Sequence, residues 1–362
     1  MRLGTCIAFE LAMAAGAIGG VWLGVSHTIE IAGDYFSTHE ASAATVSDSD
    51  RPAPMRLPAA FLKVEPPAAP PTIFGYPDDV LLAPIGATKL VRVKPNKGGT
   101  SLSLRLEFEN GARAAFKPEQ INLQSEPRRE LAAYRIDRML GIGHVQPAKA
   151  IKFALADVVA AADPDYRTYT ATRIADEAIP RGTELRGVAS WWIPEIRDAK
   201  FDRLLVDSSE GMQVWTSRLQ AGLPIAPEEQ PMLAQLATLV LFDVIIDNAD
   251  RWSGWNTKAS TDLRTLYFMD NTLSFSKFSH GHDNNLKPLY RIQVFPRALV
   301  AKIRAMTLDS VTATLSADDG AGLGPLLEPE EIRAIIARRD NVIAYIDRLI
   351  AQHGEDAVLA LP

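Results

Sequence analysis

Four residues in this chain have the types and the order that phosphoryl transfer would use: Lys117, Glu130, Asp250 and Asp270. That reaction needs little covalent help from a protein. It needs a triphosphate held still, its charge neutralised by a cation and a metal, and an attacking hydroxyl placed in line. Positioning alone supplies roughly 7–11 kcal/mol of barrier reduction. Asn256 lies between Asp250 and Asp270, and two carboxylates with an amide suit a hard cation such as magnesium or manganese. Upstream, the adjacent glycines of Gly98-Gly99-Thr100 let a backbone approach phosphate and aim its N–H groups at it. Each feature alone has a plainer reading. Gly-Gly pairs are usually turns, a strand-end lysine is usually a solvated charge, and Asp-Asn is usually a turn or a helix cap. Glu130 alone is one more exposed helix acid, and Asp250-Arg251 an ordinary loop ion pair. The weight lies in their order and in the elements that carry them.

Lys117 ends a hairpin. Leu102, Leu104, Leu106 and Phe108 alternate with Ser103, Arg105, Glu107 and Glu109, the period-two pattern of a half-buried strand. Asn110-Gly111 signals a tight turn with positive φ at both turn positions. The return strand puts Ala112, Ala114 and Phe116 on one face and Lys117 on the other, and Pro118 stops it. A helix follows, with Ser125 as N-cap, Pro127 in its first turn and Gly141 as a left-handed terminator. Its apolar stripe is Ala132, Ile136, Met139 and Leu140, with Glu130 off the stripe. If the hairpin packs on this helix, Lys117 and Glu130 meet across the inner face.

Met232 to Ile246 is apolar nearly all round, as a buried helix is, and it runs straight into Asp247-Asn248-Ala249-Asp250-Arg251. A short strand from Thr265 to Met269 precedes Asp270-Asn271. Tyr166 to Arg173 reads as a further strand. Glu330 to Ala351, with Ile332, Ile335, Ile336, Val342, Ile343, Ile346 and Ile350, reads as a long amphipathic helix. The first part is strand-rich and the second mainly helical.

The 362 residues are 47% hydrophobic and 23% charged with a net charge of -6, so nothing suggests a basic surface for nucleic acid. The single cysteine, Cys6, excludes an internal disulfide, and no Cys/His cluster has zinc-site spacing. Residues 1–27 hold an apolar run from Leu11 to Val25, expected to be a signal peptide or a signal anchor. The acidic residues downstream of it set the rest of the chain outside the cytoplasm by the positive-inside rule, in a periplasm, a lumen or secreted. Residues 28–77, rich in Pro, Ala and Ser, read as a linker. The folded domain is expected at 78–353, with lobes at about 78–175 and 176–353, and 354–362 as a tail.

Five segments in order make a more specific pattern. They are Gly98-Gly99-Thr100 through Phe116-Lys117-Pro118, then Glu130 to Arg138, Asp247 to Arg251, Phe268-Met269-Asp270-Asn271, and Leu286-Lys287-Pro288-Leu289-Tyr290. Together they resemble the secretory-pathway atypical kinases, the family of the Golgi casein kinase, the glycosaminoglycan xylosylkinase and four-jointed. The resemblance covers about 94–291. It implies an α+β, two-lobed atypical protein-kinase-like fold and an ATP-dependent phosphotransferase whose acceptor is a hydroxyl on a protein or a glycan. It implies that Gly98, Gly99, Thr100 and Lys117 hold the ATP phosphates, and that Glu130 orients Lys117 or helps bind metal. Asp250 becomes the catalytic base or acceptor-orienting residue, and Asp270 a ligand of Mg2+ or Mn2+. In many kinases a second metal ligand stands five residues after the catalytic Asp. That position is Trp255 here, with Asn256 one farther, so either Gly254 permits a bulge or Asn256 is not a ligand. Trp252 replaces the histidine the family often has after Asp-Arg.

The competing reading is a pseudokinase, a nucleotide-binding interaction module that has lost turnover, motivated by Trp255 and the displaced Asn256. Lipid and toxin-type kinases share an Asp-Arg loop and a similar helix motif, but the Gly-Gly-Thr hairpin and the Asp-Asn step favour the secretory type. The tryptophan pairs Trp191-Trp192 and Trp252 with Trp255 suit core and rim positions, with sugar stacking as the minority reading. His144, His280 and His282 show no partner pattern.

Overall fold

A computed structural model describes residues 72–96, 100–253, 256–316 and 321–362. The expected signal segment and most of the linker therefore lie outside the described residues. Among the described residues, no helix is long and apolar enough to cross a membrane.

The first lobe is a five-stranded antiparallel sheet. After a short helix α1 (Asp78–Leu82) come β1 (Leu90–Pro95), β2 (Leu104–Phe108) and β3 (Arg113–Pro118). Helix α2 (Pro127–Leu140) leads to β4 (Ala148–Ala154), two helices α3 (Leu155–Ala160) and α4 (Arg167–Glu177), and β5 (Glu184–Trp191). The spatial order is β1-β2-β3-β5-β4. Alternation fixes the register: Leu104, Leu106, Phe108, Ala114 and Phe116 are buried in one cluster with Val93, Leu185 and Ala189. Gly187 sits opposite Pro118, where a Cβ would come within 2.2 Å of the Lys117 carbonyl oxygen, so only glycine lets β5 lie this close to β3.

The second lobe begins with small strands β6 (Arg197–Asp198), β7 (Lys200–Phe201) and β8 (Leu204–Leu205), then α5 (Ser209–Arg218) and α6 (Gln230–Ile246). Two further strands, β9 (Lys258–Ala259) and β10 (Leu266–Tyr267), precede α7 (Asp283–Leu289), α8 (Arg297–Ala305), α9 (Leu308–Leu315), α10 (Pro329–His353) and α11 (Glu355–Val358). Its core centres on α6, from which Leu236, Val240, Phe242, Ile245 and Ile246 are fully buried. Helix α2 joins both lobes. Its Leu131, Ala132, Ile136 and Leu140 belong to this larger core, together with Val188 of the sheet.

Several expectations need correction. Tyr166 to Arg173 is not a strand; it runs from a 3-10 turn into α4, where Thr170 and Ile174 are buried one helical turn apart. The lobe boundary is not at 175, because β5 completes the sheet and the crossover follows Trp191. The linker does not extend to 77: Phe74 is buried against Trp191 and Tyr267. Nor is 354–362 a tail. Val358 and Leu361 are buried in the main core, and the Phe295 amide donates to the Val358 carbonyl at 2.8 Å. The N-cap of α2 is Glu126, not Ser125, and it makes no side-chain cap bond. In the hairpin turn only Gly111 has positive φ (83°). The Gly111 amide bonds to Phe108 O, and Asn110 instead accepts from the Ala112 amide.

Candidate active site

Strand pairing sets one wall of a cleft of about 330 Å3. In the β3–β5 ladder Ala115 faces Ser190 and Lys117 faces Val188, and all four line the cleft. Buried Phe116 and Pro118 turn to the opposite side. Lys117 Nζ reaches Asp270 Oδ1 at 2.6 Å and Glu130 Oε2 at 3.9 Å. Lys117 and Glu130 are almost fully covered, whereas 45% of the Asp270 side chain is exposed toward the opening. The structure thus brings together residues from a strand, a helix and a post-strand loop. Burial works against the Lys117 charge, but Asp270 and Glu130 outweigh it and its pKa is raised. Burial likewise pushes Asp270 up, and Lys117 outweighs that to hold the carboxyl below its usual value. For Glu130 burial wins over Lys117, and its pKa is raised.

Asp270 itself adopts a left-handed conformation, φ 54°, which Asp tolerates better than most residues. Its surroundings pin that geometry. Asn248 Nδ2 donates to the Asp270 carbonyl at 3.0 Å, and Thr272 Oγ1 donates to Oδ1 at 3.0 Å. The Asn271 amide donates to Glu130 Oε2 at 2.9 Å. Glu130 Oε1 is buried and has no protein partner.

Asp250 is half-buried in the loop after α6. Asn248 Oδ1 accepts from its amide at 3.2 Å, and Asn256 Nδ2 donates to its Oδ2 at 2.6 Å. Asn256 lines the cleft beside Asp270 and Lys117, and the Asp250 charge contributes to raising the Lys117 pKa. Thr100 is exposed and does not line the cleft; Asn96, Ser101 and Ser103 do. Gly98, Gly99, Gly254 and Trp255 lie outside the described residues, and with them the expected phosphate loop and bulge.

Among the described residues no three His, Cys, Asp or Glu side chains converge on one metal position. Mg2+ is usually held by one or two carboxylates plus phosphate oxygens and water, not by an all-protein cage. Asp270 and the orphaned Glu130 Oε1 supply carboxylate oxygens, so the residues present fit such a cation.

The main element missed in the sequence is the Arg251 clamp. Arg251 is fully buried. Its Nε meets Asp243 of α6 at 3.1 Å, and its other nitrogens donate to Asn271 Oδ1 at 2.7 Å, to the Asn256 carbonyl at 3.0 Å and to the Met269 carbonyl. A single guanidinium thus ties the Asp250 loop to the Asp270 loop. The available signal was Asp243, a lone charge inside an apolar helix, since buried charges are paired. The histidines also have partners: His144 Nδ1 bonds the Leu266 carbonyl at 2.7 Å, and His282 Nδ1 bonds Asp247 Oδ2 at 2.8 Å. Of the tryptophans, Trp191 packs on Phe74, Trp192 lines the cleft, and Trp252 stacks on buried Trp215.

This is the two-lobed architecture of an atypical protein kinase, with its cleft between a strand-rich lobe and a helical one. No family model matches the chain. Among curated proteins it is similar to the glycosaminoglycan xylosylkinase of Homo sapiens, 23% identical over 334 residues, covering 78% of this chain and 79% of that one. The Danio rerio glycosaminoglycan xylosylkinase is 22% identical over 333 residues with the same coverage. Among solved structures it is similar to the Golgi casein kinase, at a TM-score of 0.59 and 16% identity over 78% of each chain. The same kinase with Mn/ADP bound matches at 0.60 and 14% over the same shares. A hydra Fam20 with sugar matches at 0.58 and 16%, over 76% of this chain and 90% of that one. The resemblance to the secretory-pathway atypical kinases that the motifs carry therefore holds both in sequence and in fold.

Proposed function

We propose that this chain is an ATP-dependent kinase that transfers the γ-phosphate to a hydroxyl on a protein or a glycan. The observation that carries the reading is the Lys117–Asp270 contact of 2.6 Å beside buried Glu130, in a cleft between lobes and near Asp250. In this reading Lys117 neutralises and orients the phosphates, and Glu130 keeps the ammonium aimed. Asp250 accepts the proton of the acceptor hydroxyl, held by Asn256 at one oxygen with the other left for the substrate. Asp270, Glu130 and, through its side-chain Oδ1, Asn256 would hold Mg2+ or Mn2+. The metal, when bound, neutralises the developing phosphate charge. The Golgi casein kinase structure with Mn/ADP bound supports an adenine nucleotide and a divalent metal as the cofactors, and the glycosaminoglycan xylosylkinase relatives support a glycan acceptor.

We place the kinase-like domain outside the cytoplasm, reached through the apolar segment at 11–25, whether cleaved or kept as an anchor. The test is ATP turnover by the purified chain with MnCl2 or MgCl2, given casein-like peptides and xylose-containing oligosaccharides. Turnover that disappears in Asp270→Ala supports the reading. Turnover untouched by that change defeats it, and nucleotide-induced thermal stabilisation without transfer to any acceptor leaves the pseudokinase.

A further inference from the structure

The phosphate end of the cleft accounts for Lys117, Glu130 and Asp270, but not for Gln146. This residue lies between α2 and β4, is only 6% exposed, and lines the cleft. Its Oε1 is shielded from solvent and has no hydrogen-bond partner. A buried, unpaired amide oxygen is costly unless something completes it. The protein does not, so a ligand group that donates a hydrogen bond is the natural partner.

The position of Gln146 indicates which part of the ligand that is. Ala148 pairs with Ser190 across the β4–β5 ladder, and the Trp191 amide donates to the Pro147 carbonyl at 2.8 Å. Gln146 therefore sits beside the end of β5, next to the crossover residues Trp192, Ile193 and Pro194 that also line the cleft. Apolar walls with a few polar groups suit a planar base. Pro194 has no N–H, so one backbone donor is missing from this wall and side-chain readout gains importance.

We infer that Gln146 is a specificity-determining residue that reads the adenine edge of the nucleotide. A carboxamide matches adenine's neighbouring N6 donor and N7 acceptor, accepting from one and donating to the other. Guanine presents O6 and N7 there, two acceptors, and would set O6 against Oε1. The inference rests on the nucleotide-binding reading of the cleft and deepens it.

The experiment compares the chain with Gln146→Met, which keeps volume but removes the amide. Affinities for ATP, GTP and inorganic tripolyphosphate are measured with MnCl2 by calorimetry. Loss of the amide's two hydrogen bonds to the adenine edge predicts an ATP affinity weaker by about tenfold or more in the variant. GTP binding should change little, so the ATP preference narrows, and tripolyphosphate binding should not move. Unchanged ATP affinity in the variant, or equal weakening of ATP and tripolyphosphate, overturns the assignment of Gln146 alone. Failure of the unsubstituted chain to bind ATP at all overturns the nucleotide reading and this inference together.

Discussion

Arg251 meets Asp243 at 3.1 Å with both side chains buried, and the same guanidinium holds the loops of Asp250 and Asp270. Removing one partner of a buried pair leaves an uncompensated charge and typically costs about 3–5 kcal/mol. Arg251→Met should therefore lower stability by about that much in urea denaturation. The double variant Arg251→Met with Asp243→Leu should recover part of the stability, because no charge is stranded. It should not recover ATP turnover, since the bonds to Asn256, Met269 and Asn271 stay lost. Recovery of both would mean that the pair serves only the core.

Asp243 also sets a pH dependence. Burial pushes its carboxyl up to about 6, against the pull of Arg251, and burial does the same to Asp137 against Arg138. A raised folded-state value means the folded chain keeps the proton to higher pH than the unfolded one. Each group's contribution is full below the ordinary value of 3.8 and is lost as pH rises through about 6. Asp270, lowered by Lys117 in spite of burial, runs the other way and contributes above 3.8, fading only in acid. Denaturation midpoints collected from pH 4 to 7 should therefore show a falling component that weakens in Asp243→Asn. An identical slope in the variant would remove Asp243 as its source.

Glu130→Gln keeps a group that can accept from the Asn271 amide but removes a charge beside Lys117 and a carboxylate oxygen from the proposed metal set. Turnover should fall by about 100-fold or more, as when one preorganised electrostatic contact is removed. Stability should change by about 1 kcal/mol or less, because Glu130 carries a burial penalty that the amide avoids. The apparent affinity for Mn2+ in the presence of ADP should weaken in parallel. A variant with full turnover and unchanged Mn2+ dependence would exclude Glu130 from the site.

The parts legible in the sequence were those governed by local periodicity. The alternation in β2 and β3 put Lys117 on the face opposite Phe116, and the all-round apolar α6 delivered Asp247 to Asp250 from a buried helix. Long-range pairing was not legible. Nothing in 166–173 distinguishes a strand from a helix on residue types alone, since Tyr and Thr favour strands and tertiary contacts decided for α4. The 354–362 segment reads as a tail because it is short and partly acidic. Its Val358 and Leu361 fill a gap beside Phe295 that only the fold creates. Gln146 carries no sequence signal, because its burial depends on how β4 meets β5.

Asp250 and Asn256 separate base chemistry from binding. Asp250 Oδ2 is engaged by Asn256 Nδ2 at 2.6 Å, so a hydroxyl substrate would approach the other oxygen. Asp250→Asn preserves shape and removes the proton acceptor, and general-base loss predicts a fall in kcat of about 100- to 10,000-fold. ADP affinity should stay within about twofold, because the nucleotide contacts proposed for Lys117 and Asp270 are intact. Asn256→Ala should cost less in kcat than Asp250→Asn, since it frees an oxygen without removing the base, but it should raise KM for Mn2+-ATP if the amide also touches the metal. Single-turnover rates with saturating nucleotide, read beside equilibrium ADP binding, distinguish the two. A large loss of ADP affinity in Asp250→Asn would move Asp250 from the acceptor side of the reaction to the nucleotide side.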